Sequence, residues 1–162
     1  MNIKPNRRAC MTERPINRMK VTLDEGAYMP ARAHTTDVGA DLRAPHDVIV
    51  EARGSVVIDT GVHIELPIIS FGGEEYFTVG MLKSKSGLNV KHGITSEGVI
   101  DVGYTGSIRV KLYNHSDKPY EFKAGDKISQ LVIMPIIAPS FDLVDELEES
   151  ERGDNGFGSS GR

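Results

Sequence analysis

Apolar and polar residues alternate through most of the chain between residues 21 and 139. Residues 62–66 read Val-His-Ile-Glu-Leu, and residues 108–112 read Ile-Arg-Val-Lys-Leu. Successive side chains of a β-strand point to opposite faces, so an apolar residue at every second position is typical of a strand with one buried face. The pattern therefore predicts a series of half-buried strands.

Residues that favour turns separate these strands at short intervals. They occur at Ala44 and Pro45, at Gly72 and Gly73, at Ser86 and Gly87, and in residues 103–106, 114–117 and 124–126. Short strands joined by tight turns are typical of a β-sandwich or β-barrel. We predict one all-β domain over residues 20–139.

The two ends of the chain differ from this domain. Residues 1–19 are basic and contain two prolines, which predicts a partly disordered, solvated extension. Residues 140–162 begin with acidic residues around a few apolar ones and end in a run rich in glycine and serine. We predict that this second segment is an arm with a mobile tail.

Composition and charge exclude several classes of protein. The 162 residues include 19 basic and 23 acidic ones, and the net charge of −4 argues against a nucleic-acid-binding surface. No apolar stretch is long enough to cross a membrane, and no secretory signal is evident. Cys10 is the only cysteine, which excludes an internal disulfide. We expect a cytoplasmic protein in a reducing environment, and a viral or phage origin is compatible with this.

The tail contains a GxGxxG sequence at residues 156–161, the spacing of a dinucleotide-binding turn. That turn needs a strand before it and a helix after it, and only one residue follows Gly161. The local chemistry still suits a nucleotide: Arg152 can bind phosphate in a bidentate manner, and Phe157 can stack on a base. From the residues alone, an inert linker is an equally open reading.

Two other segments carry candidate chemistry. Residues 83–88 combine lysines, serines and a glycine, which can hold an anion, although an ordinary surface turn is the more common explanation of such a segment taken alone. In residues 98–106, a strand ends at Asp101 before a glycine-rich turn. A carboxylate at such a place can act as a general base, or it can simply bond its own turn.

Taken in order with residues 38–42 and 125–131, these segments resemble the five motifs of the trimeric deoxyuridine triphosphate nucleotidohydrolases, the dUTPases. The likeness extends from about residue 20 to residue 161 and includes residues 59–67. It implies a distorted, jelly-roll-like β-barrel of antiparallel or mixed strands with a flexible C-terminal arm. It also implies hydrolysis of dUTP to dUMP and pyrophosphate, which limits uracil in DNA and supplies dUMP for thymidylate synthesis.

The resemblance implies a role for each motif. Asp101 is the base that activates the water attacking the α-phosphorus. Phosphate contacts are implied for Lys85, Ser86, Gly87 and Gln130. Contacts to the base and sugar are implied for Thr95, Gly98, Val99, Ile100 and Tyr104, and a further substrate contact is implied for Arg109. Closure of the tail over uracil and the γ-phosphate is implied for Arg152, Phe157, Gly158, Ser159 and Ser160.

The resemblance also implies a cofactor and an assembly. Mg²⁺ would be held mainly by the substrate phosphates and water, with no direct protein ligand and with Asp41 orienting bound waters. The enzyme would be a homotrimer in which each site takes residues from three subunits. Neither nucleic acid nor a membrane is expected as a partner.

Several positions depart from the usual family pattern. Lys85 stands where arginine is common, so a point charge replaces a bidentate phosphate contact. Val102 and Gly103 replace a more acidic pair, Asn155 replaces a glycine and Ser160 a threonine. Two alternatives remain open: a deoxycytidine triphosphate deaminase of the same fold, which would rely on Glu97, and a nucleotide-binding regulatory protein.

Overall fold

The computed structural model describes residues 18–150 and Gly153, which form eleven strands and one short helix. The elements are β1 (Lys20–Leu23), β2 (Ala40–Arg43), β3 (Val48–Val50), β4 (Ser55–Asp59), β5 (Val62–Glu65), β6 (Ile69–Phe71), β7 (Glu74–Lys83), α1 (Ser86–His92), β8 (Ile94–Ile100), β9 (Arg109–Asn114), β10 (Tyr120–Phe122) and β11 (Lys127–Ile136).

One curled sheet organises the fold. Its strands lie in the order β2-β11-β7-β8-β9-β4, and β6 adds to β7. Two smaller pairs, β1 with β5 and β3 with β10, complete a half-barrel. The all-β prediction is confirmed. Each strand pair of the described residues is antiparallel, so the mixed arrangement allowed by the sequence does not occur there.

The core fills the inside of this curled sheet with aliphatic side chains. The predicted alternation is confirmed in residues 62–66, where Val62, Ile64 and Leu66 are buried and Glu65 is exposed. In residues 108–112 the three apolar side chains are buried and the two basic ones are exposed. Removing this apolar surface from water supplies the main drive for folding.

The turns agree with the sequence at one place and differ at another. Gly72 and Gly73 form the two-residue loop between β6 and β7 with positive φ angles of 63° and 89°, as a tight hairpin requires. Ser86 and Gly87, predicted as a turn, instead begin α1. Gly93 ends this helix in the left-handed conformation at φ 66°, and its N–H bonds to the last helical carbonyls.

The segment that follows β11 leaves the sheet. Over residues 137–150 it forms no helix or strand, and the side chains of Ile137, Phe141, Leu143 and Leu147 are each at least 82% exposed. Four large apolar side chains in water are unfavourable for an isolated chain. No helix within the described residues has the length and apolar character needed to span a membrane.

Candidate functional site

A carboxylate held by two lysines lies at one edge of the sheet. Asp41, on β2, is only 7% exposed. The Lys85 Nζ, just before α1, lies 2.5 Å from Asp41 Oδ1, and the Lys127 Nζ, at the start of β11, lies 2.6 Å from Oδ2. We call Asp41, Lys85 and Lys127 the cationic cluster, since it carries one more positive than negative charge.

The two lysines keep Asp41 ionised. Burial by itself raises the pKa of the Asp41 carboxyl, but the hydrogen bonds and charges of Lys127 and Lys85 outweigh it and hold that pKa below its usual range. Each lysine uses one of its three N–H donors on Asp41. Two donors of each ammonium group are therefore not used by Asp41.

Gln130 and the start of α1 flank the cationic cluster. Gln130 pairs with Asp41 across the β2–β11 ladder. A Cβ on Gly39 would lie 2.6 Å from Gln130 Oε1, so a larger residue at that position would displace the Gln130 side chain. Ser86 and Gly87 are exposed and directly follow Lys85. These groups offer hydroxyl, amide and ammonium donors on one side of the molecule.

The ionised Asp41 makes the stability of the fold depend on pH. Its pKa is lower in the folded chain than in the unfolded one. The pairing of Asp41 with the lysines therefore stabilises the fold at pH values above the usual aspartate pKa. This stabilisation is lost as the pH falls through the lowered pKa of the folded chain. We expect the free energy of unfolding to decrease as the pH falls below about 5, and to decrease less in Asp41→Asn. Denaturant titration at several pH values measures the slope of the free energy of unfolding against pH for the wild type and for Asp41→Asn.

Asp117→Asn is the matched control, because Asp117 pairs with Arg53 at the exposed surface. Exposed ion pairs contribute little to stability, so its slope should remain closer to that of the wild type. An Asp41→Asn variant with the full wild-type slope would contradict this account.

A second group of predicted residues lies where β8 and β9 separate. The two strands pair only from Ile94 to Ser96, whereas Glu97 to Ile100 pair with β7 on the other side. Alternate residues of a strand direct their backbone N–H and C=O groups to opposite neighbours. Part of the backbone of residues 97–100 therefore has no strand partner within residues 18–150 and faces the opening towards β9.

A tight turn follows β8 at the mouth of this opening. The Tyr104 N–H donates to the Asp101 carbonyl at 3.1 Å, and Gly103 has a φ of 88°. The Tyr104 hydroxyl donates to the Ser107 carbonyl at 3.0 Å. A Cβ on Gly106 would lie 2.5 Å from that hydroxyl, so Gly106 leaves room for the ring. Asp101 itself is exposed.

Arg109, on β9, forms an ion pair with the neighbouring strand β4. The Arg109 Nε lies 3.4 Å from Asp59 Oδ2, and the Ser107 hydroxyl donates to Asp59 Oδ1. The hydrogen bond from Ser107, the Gly61 N–H and the charge of Arg109 together lower the pKa of Asp59 despite some burial.

These elements enclose a cavity of about 330 Å³, which we call the β8–β9 cleft. Its lining contains Gly98, Val99, Ile100, Asp101, Tyr104 and Arg109, six of the residues predicted from the sequence, together with two apolar residues. A carboxylate, a phenol, a guanidinium and open backbone groups thus meet in one concave space, as small-molecule sites require.

The cationic cluster and the β8–β9 cleft lie at different places on the curled sheet. On β7, Lys83 pairs with Gln130 and Gly80 pairs with Ile100. Three residues along the strand and two strand spacings across the sheet separate Gln130 from Ile100 by roughly 14 Å.

The other predicted residues lie elsewhere. Thr95 is at the far end of β8, roughly 20 Å along the strand from Asp101, and its Oγ1 lies 2.8 Å from His115 Nε2. Arg152, Phe157, Gly158, Ser159 and Ser160 fall outside the described residues.

Three further residues support the predicted ones without having been predicted. Lys127 pairs with Asp41, Asp59 pairs with Arg109, and the Ser107 hydroxyl donates to Asp59. The register of β11 shifts between Lys127 and Ser129, and this bulge sets the position of Lys127 relative to β2. A bulge has no signature in a period-two pattern.

Glu97 bears on the deaminase alternative, and the acidic side chains bear on metal binding. Glu97 forms an ion pair with Lys83, and the hydrogen bond and charge of Lys83 lower the pKa of the Glu97 carboxyl. An ionised, exposed and paired glutamate is a weak candidate for the base of a deaminase. The described residues contain no group of three histidine, cysteine, aspartate or glutamate side chains that could hold a metal ion.

Comparison with known proteins gives one consistent result. The sequence model of the dUTPase family matches residues 25–161. The deoxyuridine 5'-triphosphate nucleotidohydrolase of Kluyveromyces lactis is 37% identical over 155 residues, which cover 94% of this chain and 99% of that protein.

Two solved structures of phage proteins are also similar. The dUTPase of Staphylococcus bacteriophage 80alpha, solved with dUPNHPP, superposes with a TM-score of 0.78 at 34% identity and covers 90% of this chain and 99% of its own. A mutant dUTPase of phage phi11 of S. aureus, described as revealing the coordination of a structural Mg(II) ion, gives 0.69 at 30% identity and covers 82% of this chain and 100% of its own.

Proposed function

Since the chain belongs to the dUTPase family and hydrolyses dUTP to dUMP and pyrophosphate, we propose that Asp101 is the base that activates the attacking water. The observation that carries this proposal is the exposed Asp101 carboxylate at the mouth of the β8–β9 cleft, beside Tyr104. A carboxylate within reach of a bound water can take its proton as the oxygen attacks the α-phosphorus.

We propose that the cleft binds the nucleoside. The free backbone groups of residues 98–100 have the alternating donors and acceptors that can pair with the edge of uracil. Tyr104 would pack under the deoxyribose and exclude a 2′-hydroxyl, because its ring is fixed by the hydrogen bond to Ser107. Arg109 would contact the substrate from the opposite wall.

We propose that the groups around the cationic cluster bind the phosphates. Lys85, Ser86, Gly87 and Gln130 would donate to phosphate oxygens, with Lys127 sharing the neutralisation of Asp41. Lys85 acts as a point charge, so direction comes from the hydroxyl and amide donors beside it. Phosphate-transfer reactions depend mainly on such positioning and charge neutralisation.

The donor set fits a magnesium ion that arrives with the substrate. Both Asp41 oxygens accept hydrogen bonds from lysines, so we propose that Asp41 acts through water and that the substrate phosphates supply the direct ligands. The ion, when bound, supplies positive charge to the triphosphate.

We propose a homotrimer with shared sites and residues 20–139 as its catalytic domain. Two observations support sites shared between subunits. Gln130 and Ile100 are roughly 14 Å apart within one chain, and large apolar side chains of residues 137–147 are exposed. Residues 140–162 would cross to a neighbouring subunit as an arm. Arg152, Phe157, Gly158, Ser159 and Ser160 would then close over the bound nucleotide.

Pyrophosphate release with magnesium tests this reading. We expect turnover of dUTP but not of thymidine, deoxycytidine or uridine triphosphate, and a large loss in a variant that ends at Ser150. The full-length chain is the matched control for the truncation. Comparable turnover of uridine triphosphate would contradict the role of Tyr104, and full activity of the truncated variant would contradict closure by the tail.

A further inference from the structure

His63 joins the end of β1 to the turn that carries Asp101. It lies on β5 with its side chain 27% exposed. The ring Nδ1 lies 2.9 Å from the Thr105 carbonyl oxygen, and Nε2 lies 3.2 Å from Asp24 Oδ2. Thr105 directly follows Tyr104, so this contact reaches the loop below the β8–β9 cleft.

The chemistry of the two partners fixes the charge of the ring. A backbone carbonyl and a carboxylate are both acceptors, so both ring nitrogens must donate for both bonds to form. A neutral imidazole has one N–H and satisfies only one of them. Only an imidazolium therefore makes both hydrogen bonds at once.

The surroundings favour the same state. Hydrogen bonds to the Thr105 carbonyl and to Asp24, and the charges of Asp24 and Asp59, raise the pKa of His63 although desolvation lowers it. Arg109 pairs with Asp59 and reduces its effect, while Lys20 and Glu65 pair with each other on the neighbouring strands.

Asp24 is itself well anchored. Its N–H donates to the Gly61 carbonyl at 2.8 Å, and its carbonyl accepts from the Ala27 N–H at 3.1 Å. The other end of the loop is also fixed, since the Ile108 N–H donates to the Val62 carbonyl at 2.8 Å. Between these points, His63 ties Thr105 to β5.

We propose that protonated His63 is a positioning residue for dUTP hydrolysis, because it holds the Thr105 carbonyl and through it the turn from Asp101 to Tyr104. This inference rests on the role proposed for Asp101. Below its pKa, His63 makes both bonds and the turn is held. As the pH rises through that raised pKa, one bond is lost and turnover should decline.

Full-length His63→Gln and Asp24→Asn test this, with His34→Gln as the matched control because His34 is exposed on another loop. We expect the alkaline decline of wild-type kcat to have the same midpoint as the NMR titration of the His63 ring. Asp24→Asn should move both midpoints to lower pH. His63→Gln should remove the decline and lower kcat about tenfold, with a smaller change in KM. His34→Gln should match the wild type.

A second readout is independent of activity. The Gly106 N–H belongs to the same peptide group as the Thr105 carbonyl, so its NMR shift should follow the His63 titration. This measurement does not need His63→Gln to fold well, because the wild type and Asp24→Asn both report the Gly106 shift.

Two results would overturn the proposal. In one, Asp24→Asn moves the His63 titration but leaves the alkaline decline of kcat where it was. In the other, His63→Gln keeps the wild-type pH profile. Failure of the role proposed for Asp101 gives a different result. Asp101→Asn would then retain turnover, while the NMR shift of Gly106 would still follow the His63 titration and support the hydrogen bond from His63 to the Thr105 carbonyl.

Discussion

Replacing Asp101 with asparagine is expected to lower kcat for dUTP by roughly 10²- to 10⁴-fold, the usual contribution of a general base. Asparagine has nearly the same shape as aspartate but cannot take a proton from water. The turn should survive, because the Asp101 carbonyl, rather than its carboxylate, accepts the Tyr104 N–H. Binding of a non-hydrolysable dUTP analogue should therefore change only a few-fold.

Pyrophosphate release gives kcat, and calorimetric titration gives the affinity for the analogue. Asp117→Asn, which removes a carboxylate from an exposed ion pair with Arg53, is the control and should retain wild-type turnover. An Asp101→Asn enzyme with wild-type kcat would remove Asp101 from the reaction. Equal losses of turnover and analogue affinity would show a role in binding instead.

Two inactive variants should restore each other's activity when their subunits are mixed. Asp101→Asn damages the β8–β9 cleft, and Lys85→Met damages the cationic cluster while keeping an apolar stem. If one site combines the cleft of one subunit with the cluster of another, an equal mixture of subunits contains intact halves in about one site in four. The mixture should then reach about a quarter of wild-type turnover.

The two variants are unfolded together, refolded as an equal mixture and assayed for pyrophosphate release. Each variant refolded alone is the control for spontaneous recovery, and the wild type treated in the same way sets the full scale. A mixture no more active than the mean of its two components would show that each chain builds its own site.

The sequence predicted the strands because the core faces only one side of them. Residues 62–66 and 108–112 alternate cleanly, and the glycine pair at residues 72–73 is required by a hairpin with positive φ angles. The helix α1 was missed, since seven residues with none buried display no helical period. Gly93 after two basic residues was the signal that could have revealed its end.

The site was predictable in its residues but not in its arrangement. Asp101 and Lys85 can be identified from their sequence motifs. The distance between the β8–β9 cleft and the cationic cluster depends on the register of β7, which pairs with β11 on one side and β8 on the other. The contact of His63 with Thr105 joins residues 42 positions apart and depends on how β5 packs beside the loop. Such contacts follow from tertiary packing, which a single sequence does not display.

The separation of β8 and β9 also exposes the protein to self-association. Backbone groups left open for a nucleobase could accept a strand from any other chain, and exposed strand edges of this kind promote aggregation. Here the open stretch covers only residues 97–100, and the charged Asp101 and Arg109 stand at its mouth. The same two side chains that would serve the nucleotide thus act as gatekeepers, so neutralising both should lower solubility even where the fold is intact.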